Sequence, residues 1–85
     1  MITRMWEARI AYDRRPDADL LPLGCEVYAS YDGPLRAVVI SHFADETALA
    51  VYAGPDWRTD SRAEAAAFGD AVVGEPHVWH FTQVS

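Results

Sequence analysis

The sequence predicts one small α+β domain built on a four-stranded antiparallel sheet. Three observations lead there. Apolar and polar residues alternate with period two in the opening run ITRMWEARIA and in the closing run HVWHFTQV. Two β-rich runs flank Asp32-Gly33-Pro34. A stripe of helical spacing lies between the second of these runs and the close.

Each element follows in chain order. Ile2 to Ala11 sets Ile2, Arg4, Trp6, Ala8 and Ile10 at one parity and Thr3, Met5, Glu7 and Arg9 at the other, the pattern of a strand. Asp13 to Gly24 holds Pro16, Pro22, Asp13, Asp17, Asp19 and Gly24, a loop with at most one helical turn around Asp17 to Leu21. Glu26 to Tyr31 and Leu35 to Phe43 read as an antiparallel pair, because Asp and Gly both tolerate the positive φ of a tight hairpin. The apolar density of Ala37 to Ile40 places the second of these strands inside the sheet, buried on both faces, and the more polar first one at an edge.

Asp45 is positioned to cap a helix carrying Ala48, Leu49, Tyr52 and Ala53 on one side, with Gly54-Pro55 to end it. A second short helix is predicted from Ser61, whose spacing to Glu64 fits a capping box before Ala65 to Phe68. The last strand is predicted over His77 to Val84, introduced by Pro76, which has no ladder donor and so favours a strand start or a sheet edge.

Composition bounds the function. The chain has 85 residues, 51% of them apolar, with three Trp, four Tyr and three Phe, so one folded domain over 1–85 is expected rather than a disordered segment. Its net charge is -6 and its basic residues, all arginine, are scattered, which argues against nucleic acid. No run reads as a membrane span or signal peptide, and a cytoplasmic location is the expectation. Cys25 stands alone, with no second cysteine for an internal disulfide and no neighbouring cation to activate it.

A β-α-β-β-α-β order is the ferredoxin-like pattern, here with its first helix reduced to the Asp13 to Gly24 loop. Within that pattern MITRMWEARI, AVVISHFADETALAVYAGPDW (Ala37 to Trp57) and HVWHFTQV resemble the antibiotic-biosynthesis-monooxygenase family of dimeric α+β barrels. The resemblance implies a homodimer whose sheets pack face to face, and a cavity between sheet and helices for an aromatic or polyketide-like molecule. It further implies oxygenation of that molecule, or a related cyclisation, without a bound cofactor. The reduced helix raises the alternative of a non-catalytic dimer docking on a larger biosynthetic enzyme. Around His42 to Tyr52 the chain also resembles the haem-degrading branch, but Arg62 stands where that branch places its iron-binding histidine.

His42 and His80 are the candidate bases, since imidazole titrates near neutrality. The plain alternative for His42 is a polar strand end. His77 and His80 point to opposite faces of a strand and cannot share an ion, so no metal site is expected. Trp6, Tyr52, Trp57 and Trp79 are the candidate walls of an aromatic pocket, with core packing as their alternative. Trp57, in the loop after the helix, has the least structural reason to be there. Glu7 and Arg9 could orient a phenol or ketone, or lie on a wet face. No nucleophile triad, phosphate loop or zinc spacing is present.

Overall fold

The computed structural model describes residues 1–85. Strand β1 spans Ile2–Ile10, β2 Glu26–Ala29, β3 Arg36–Phe43 and β4 Val72–Thr82, in the sheet order β2-β3-β1-β4. Every neighbouring pair is antiparallel. Helix α1 covers Glu46–Ala53 and α2 covers Arg62–Phe68. Where a first helix would cross from β1 to β2 there is only the 3-10 turn Ala18–Leu20. A four-stranded antiparallel sheet with two helices is compatible with a ferredoxin-like fold.

Period two on β1 and β3 decides the layering. Arg4, Trp6, Ala8 and Ile10 are buried on one face, together with Ala37, Val39, Ser41 and Phe43 from β3. Over this face Trp6 stacks on Phe68 of α2, ring centroids 5.2 Å apart, and its indole N–H donates to the Ser61 carbonyl at 3.0 Å. Burying two such rings contributes on the order of 2–3 kcal/mol each, which makes this contact a main fastening of α2 to the sheet. A second cluster joins Phe43, Leu49, Ala53 and Trp57 under α1.

The opposite face of the sheet carries no helix. Met5, Val38 and Ile40 are half-exposed there, and Tyr28, Trp79 and Phe81 more so. The interior placement of β3 matches the sequence expectation, but only its helix-side face is fully buried.

Several boundaries differ from the sequence reading. The β2–β3 connection runs from Ser30 to Leu35, and only Gly33 in it has positive φ (72°). The Ser30 hydroxyl donates to the Pro34 carbonyl and accepts from the Arg36 amide, both at 3.0 Å, closing a wider loop than a two-residue turn. Strand β4 begins at Val72, five residues before His77, because β1 supplies partners back to Ile10. Asp45 caps α1 as expected, accepting from the Ala48 amide at 2.9 Å. The Ser61–Glu64 capping box does not form: Ser61 makes no cap bond, and Glu64 turns down into the protein toward Arg4.

Candidate functional site

A polar row runs across three strands beneath the helices. Arg4 of β1 sits between Ser41 of β3 and His80 of β4, its direct cross-strand partners. Arg4 and Glu64 are fully buried, and the guanidinium grips the carboxylate with two bonds, Nε to Oε2 at 2.7 Å and Nη2 to Oε1 at 3.1 Å. Nη1 donates to the Trp57 carbonyl at 2.7 Å and Nη2 to the Asp60 carbonyl. The remaining Nη1 hydrogen reaches His80 Nε2 at 3.1 Å. All the donors of Arg4 are thereby used, as a buried cation requires.

His80 takes its protonation state from this neighbour. Arginine can only donate, so Nε2 of His80 is the acceptor and the ring proton sits on Nδ1. Burial, then the charges of Arg4 and Arg58, hold the imidazole below its ordinary value. His80 meets the ring of Trp57 edge-on at 4.9 Å between centroids, and the Arg58 guanidinium lies over the Trp57 ring, 4.1 Å from its centroid. Trp57 is 7% exposed, so the loop tryptophan has a core reason after all: it roofs the row and joins it to α1.

Two hydroxyls in the same region lack partners. Ser41 Oγ and Tyr52 Oη are buried without a hydrogen bond. Burial, with the Glu64 carboxylate beside it, holds the Tyr52 phenol well above its usual value. Unsatisfied buried hydroxyls cost stability unless something uses them.

The other predicted residues lie elsewhere. Trp6 is sealed in the core against Phe68. His42 and Trp79 are on the open sheet face, where His77 stacks on Trp79 at 5.8 Å. His42 Nδ1 is 3.0 Å from the Thr3 hydroxyl and Nε2 is 3.8 Å from Glu26. This Glu-His-Thr chain has the order of a nucleophile relay, but it lies on strands whose amides belong to the ladder, so no oxyanion hole stands beside it. The structure thus brings His80, Trp57 and Tyr52 to one region, together with Arg4, Glu64 and Ser41, and leaves His42, Trp79 and Trp6 apart.

No family model, curated protein or solved structure matches this chain.

Geometry must therefore carry the functional reading. No group of His, Cys, Asp and Glu side chains is arranged to hold a metal ion. Nothing is hollow next to His80; the concavities lie outside the row. One of about 320 Å³ occupies the place of the missing first helix, floored by Ile10, Val27, Ala37 and Phe68 and edged by Arg14 and Arg15. It stays open because the 13–24 loop is drawn to α2, where the Asp17 amide donates to the Ala67 carbonyl at 2.9 Å, leaving all of β2 exposed. Burial also pushes the Cys25 thiol up, away from reactivity at neutral pH. Arg4 and Glu64 were missed in sequence; a lone arginine at a core parity, Arg4 between Ile2 and Trp6, was the signal.

Proposed function

We propose that the protein works as a homodimer joined through its open sheet face, as a binding or accessory component of aromatic natural-product metabolism. One observation supports this above others: Tyr28, Val38, Ile40, Met5, Trp79 and Phe81 form a continuous apolar band across all four strands with no helix over it. Monomeric proteins rarely leave such a band uncovered. Strand spacing and rise give the face an area on the order of 500 Å² before side-chain relief, near the lower end of what one partner contributes to a specific interface. A second copy of the same face is its simplest cover, because a two-fold axis sets each apolar row against an apolar row. The uncovered strip over β2 then remains for a larger biosynthetic enzyme.

The test is light scattering of the wild type and of Ile40→Asp across a wide concentration range. A dimeric wild type and a folded, monomeric variant support the reading; a wild type that stays monomeric at high concentration ends it. A second reading, cofactor-independent oxygenation or cyclisation of an aromatic or polyketide-like substrate, is favoured by the unpaired Tyr52 hydroxyl near Glu64 and Arg4, whose guanidinium also reaches His80. There a phenol or enol could be held if α1 moved outward. Oxygen uptake with a panel of aromatic quinols, abolished in His80→Ala, would favour it over the accessory role.

A further inference from the structure

We propose that a pocket at the end of the open sheet face binds a small zwitterion of the amino-acid class. A β-bulge makes the pocket: Glu7 pairs with His77 and Arg9 with Val73, so β4 bows out through Gly74, Glu75 and Pro76 where β1 has only Ala8. Gly74, at φ 72°, allows the bow. Bulges of this kind re-aim side chains and recur beside functional sites. The result is a concavity of about 240 Å³, large enough for an amino acid, into which Arg9, Arg36, Glu7, Glu75 and His77 face.

Its charges are unusual. Arg9 and Arg36 are direct cross-strand partners, an arrangement that destabilises a sheet. Neither has an ion-pair partner; the arginines that do are Arg4, Arg14, Arg58 and Arg62. Glu7 and Glu75 are unpaired as well, although they line the same pocket. Both signs line one pocket, and no ion pair joins them. A bare anion would gain from the guanidinium pair and lose to the carboxylates. A molecule carrying a carboxylate beside an ammonium satisfies both, with charge-assisted hydrogen bonds at each end. This inference does not depend on the dimer.

Glycine, acetate and inorganic phosphate are the probes, titrated into the isotope-labelled full chain with amide shifts and melting temperature as readouts. Glycine is expected to move the amides of Arg9, Gly74 and Glu75 saturably and to raise the melting temperature, with acetate and phosphate weaker. Arg36→Gln is expected to weaken glycine binding about tenfold or more. The same variant, without ligand, is expected to melt about 1–4 °C above the wild type because the like-charge pair is gone. A merely structural arginine would instead lower it. Glu75→Gln should weaken glycine but not acetate. The proposal is overturned if glycine gives no saturable shift, if acetate or phosphate binds as tightly as glycine, or if Arg36→Gln binds unchanged. Light scattering on the same samples keeps the outcome separate from the assembly state.

Discussion

Arg4 and Glu64, sixty residues apart, form a two-bond ion pair with neither side chain exposed. The pair ties β1, one of the two interior strands, to α2, and the remaining bonds of Arg4 gather the Trp57 and Asp60 carbonyls of the connecting loop onto the same cation. Removing one half strands the other in a medium that does not solvate it.

Glu64→Ala is accordingly expected to cost about 3–5 kcal/mol, a large share of what a domain this small can hold in reserve. Urea unfolding followed by far-UV circular dichroism measures it. A loss under about 1 kcal/mol would mean that water reaches Arg4 and the pair is not dry.

His80 makes stability depend on pH in a defined direction. Its folded value lies below 6.5, so the unfolded chain takes up the proton first. The stabilisation is complete above pH 6.5 and is lost as pH falls from there through the folded value. The urea midpoint of the wild type should drop between pH 7.5 and pH 5.5, and that of His80→Gln should drop less. Equal slopes would remove His80 as the cause.

Ser41 and Tyr52 bear on the orphaned hydroxyls. Ser41→Ala removes an unsatisfied buried group at little loss of packing, and should stabilise the chain by about 1 kcal/mol, roughly 4–8 °C in melting temperature. Tyr52→Phe should act in the same direction. A destabilised Ser41→Ala would show that the hydroxyl has a partner in solution, such as an ordered water.

Gly69 ends α2 at φ 58°, ψ -133°, a conformation that side chains resist. A Cβ there would also lie 2.5 Å from Arg14 Nη1. Gly69→Ala should cost about 1–3 kcal/mol. Because the Arg14 guanidinium is the end of a flexible side chain and the backbone cannot yield in that way, adding Arg14→Ala should restore little; full rescue by that second change, measured by thermal unfolding, would assign the cost to the clash instead.

Local chemistry was legible without the fold. Period two announced β1 and the later part of β4, the β-rich runs around Asp32-Gly33-Pro34 announced β2 and β3, Asp45 announced the start of α1, and the prolines and aspartates announced the 13–24 loop. These signals are readable because they depend on residues one to four positions apart. The start of β4 was missed because Gly74 and Pro76 look like breakers, and they are tolerated only because β4 is an edge strand that bulges where they fall.

The candidate site depended on longer reach. Sequence named His80, Tyr52 and Trp57 among six candidates, and nothing in their spacing distinguished them from Trp6, His42 and Trp79. Strand register separated the two neighbours on β4: one parity step sends Trp79 to the open face and His80 to Arg4, whereas Trp6 shares Arg4's face but is packed against Phe68. The same reach decided between two roles for Glu64. Its spacing from Ser61 offers the carboxylate a bond from a neutral backbone amide, but the fold offers a buried guanidinium, and a desolvated cation has the stronger claim on a carboxylate. What the sequence determined by itself was therefore the kind of elements and their order, which short-range sterics and periodicity set. Which side chains meet, and which face is left bare, came from the tertiary structure, because burial and charge pairing act between residues that only the assembled sheet makes neighbours.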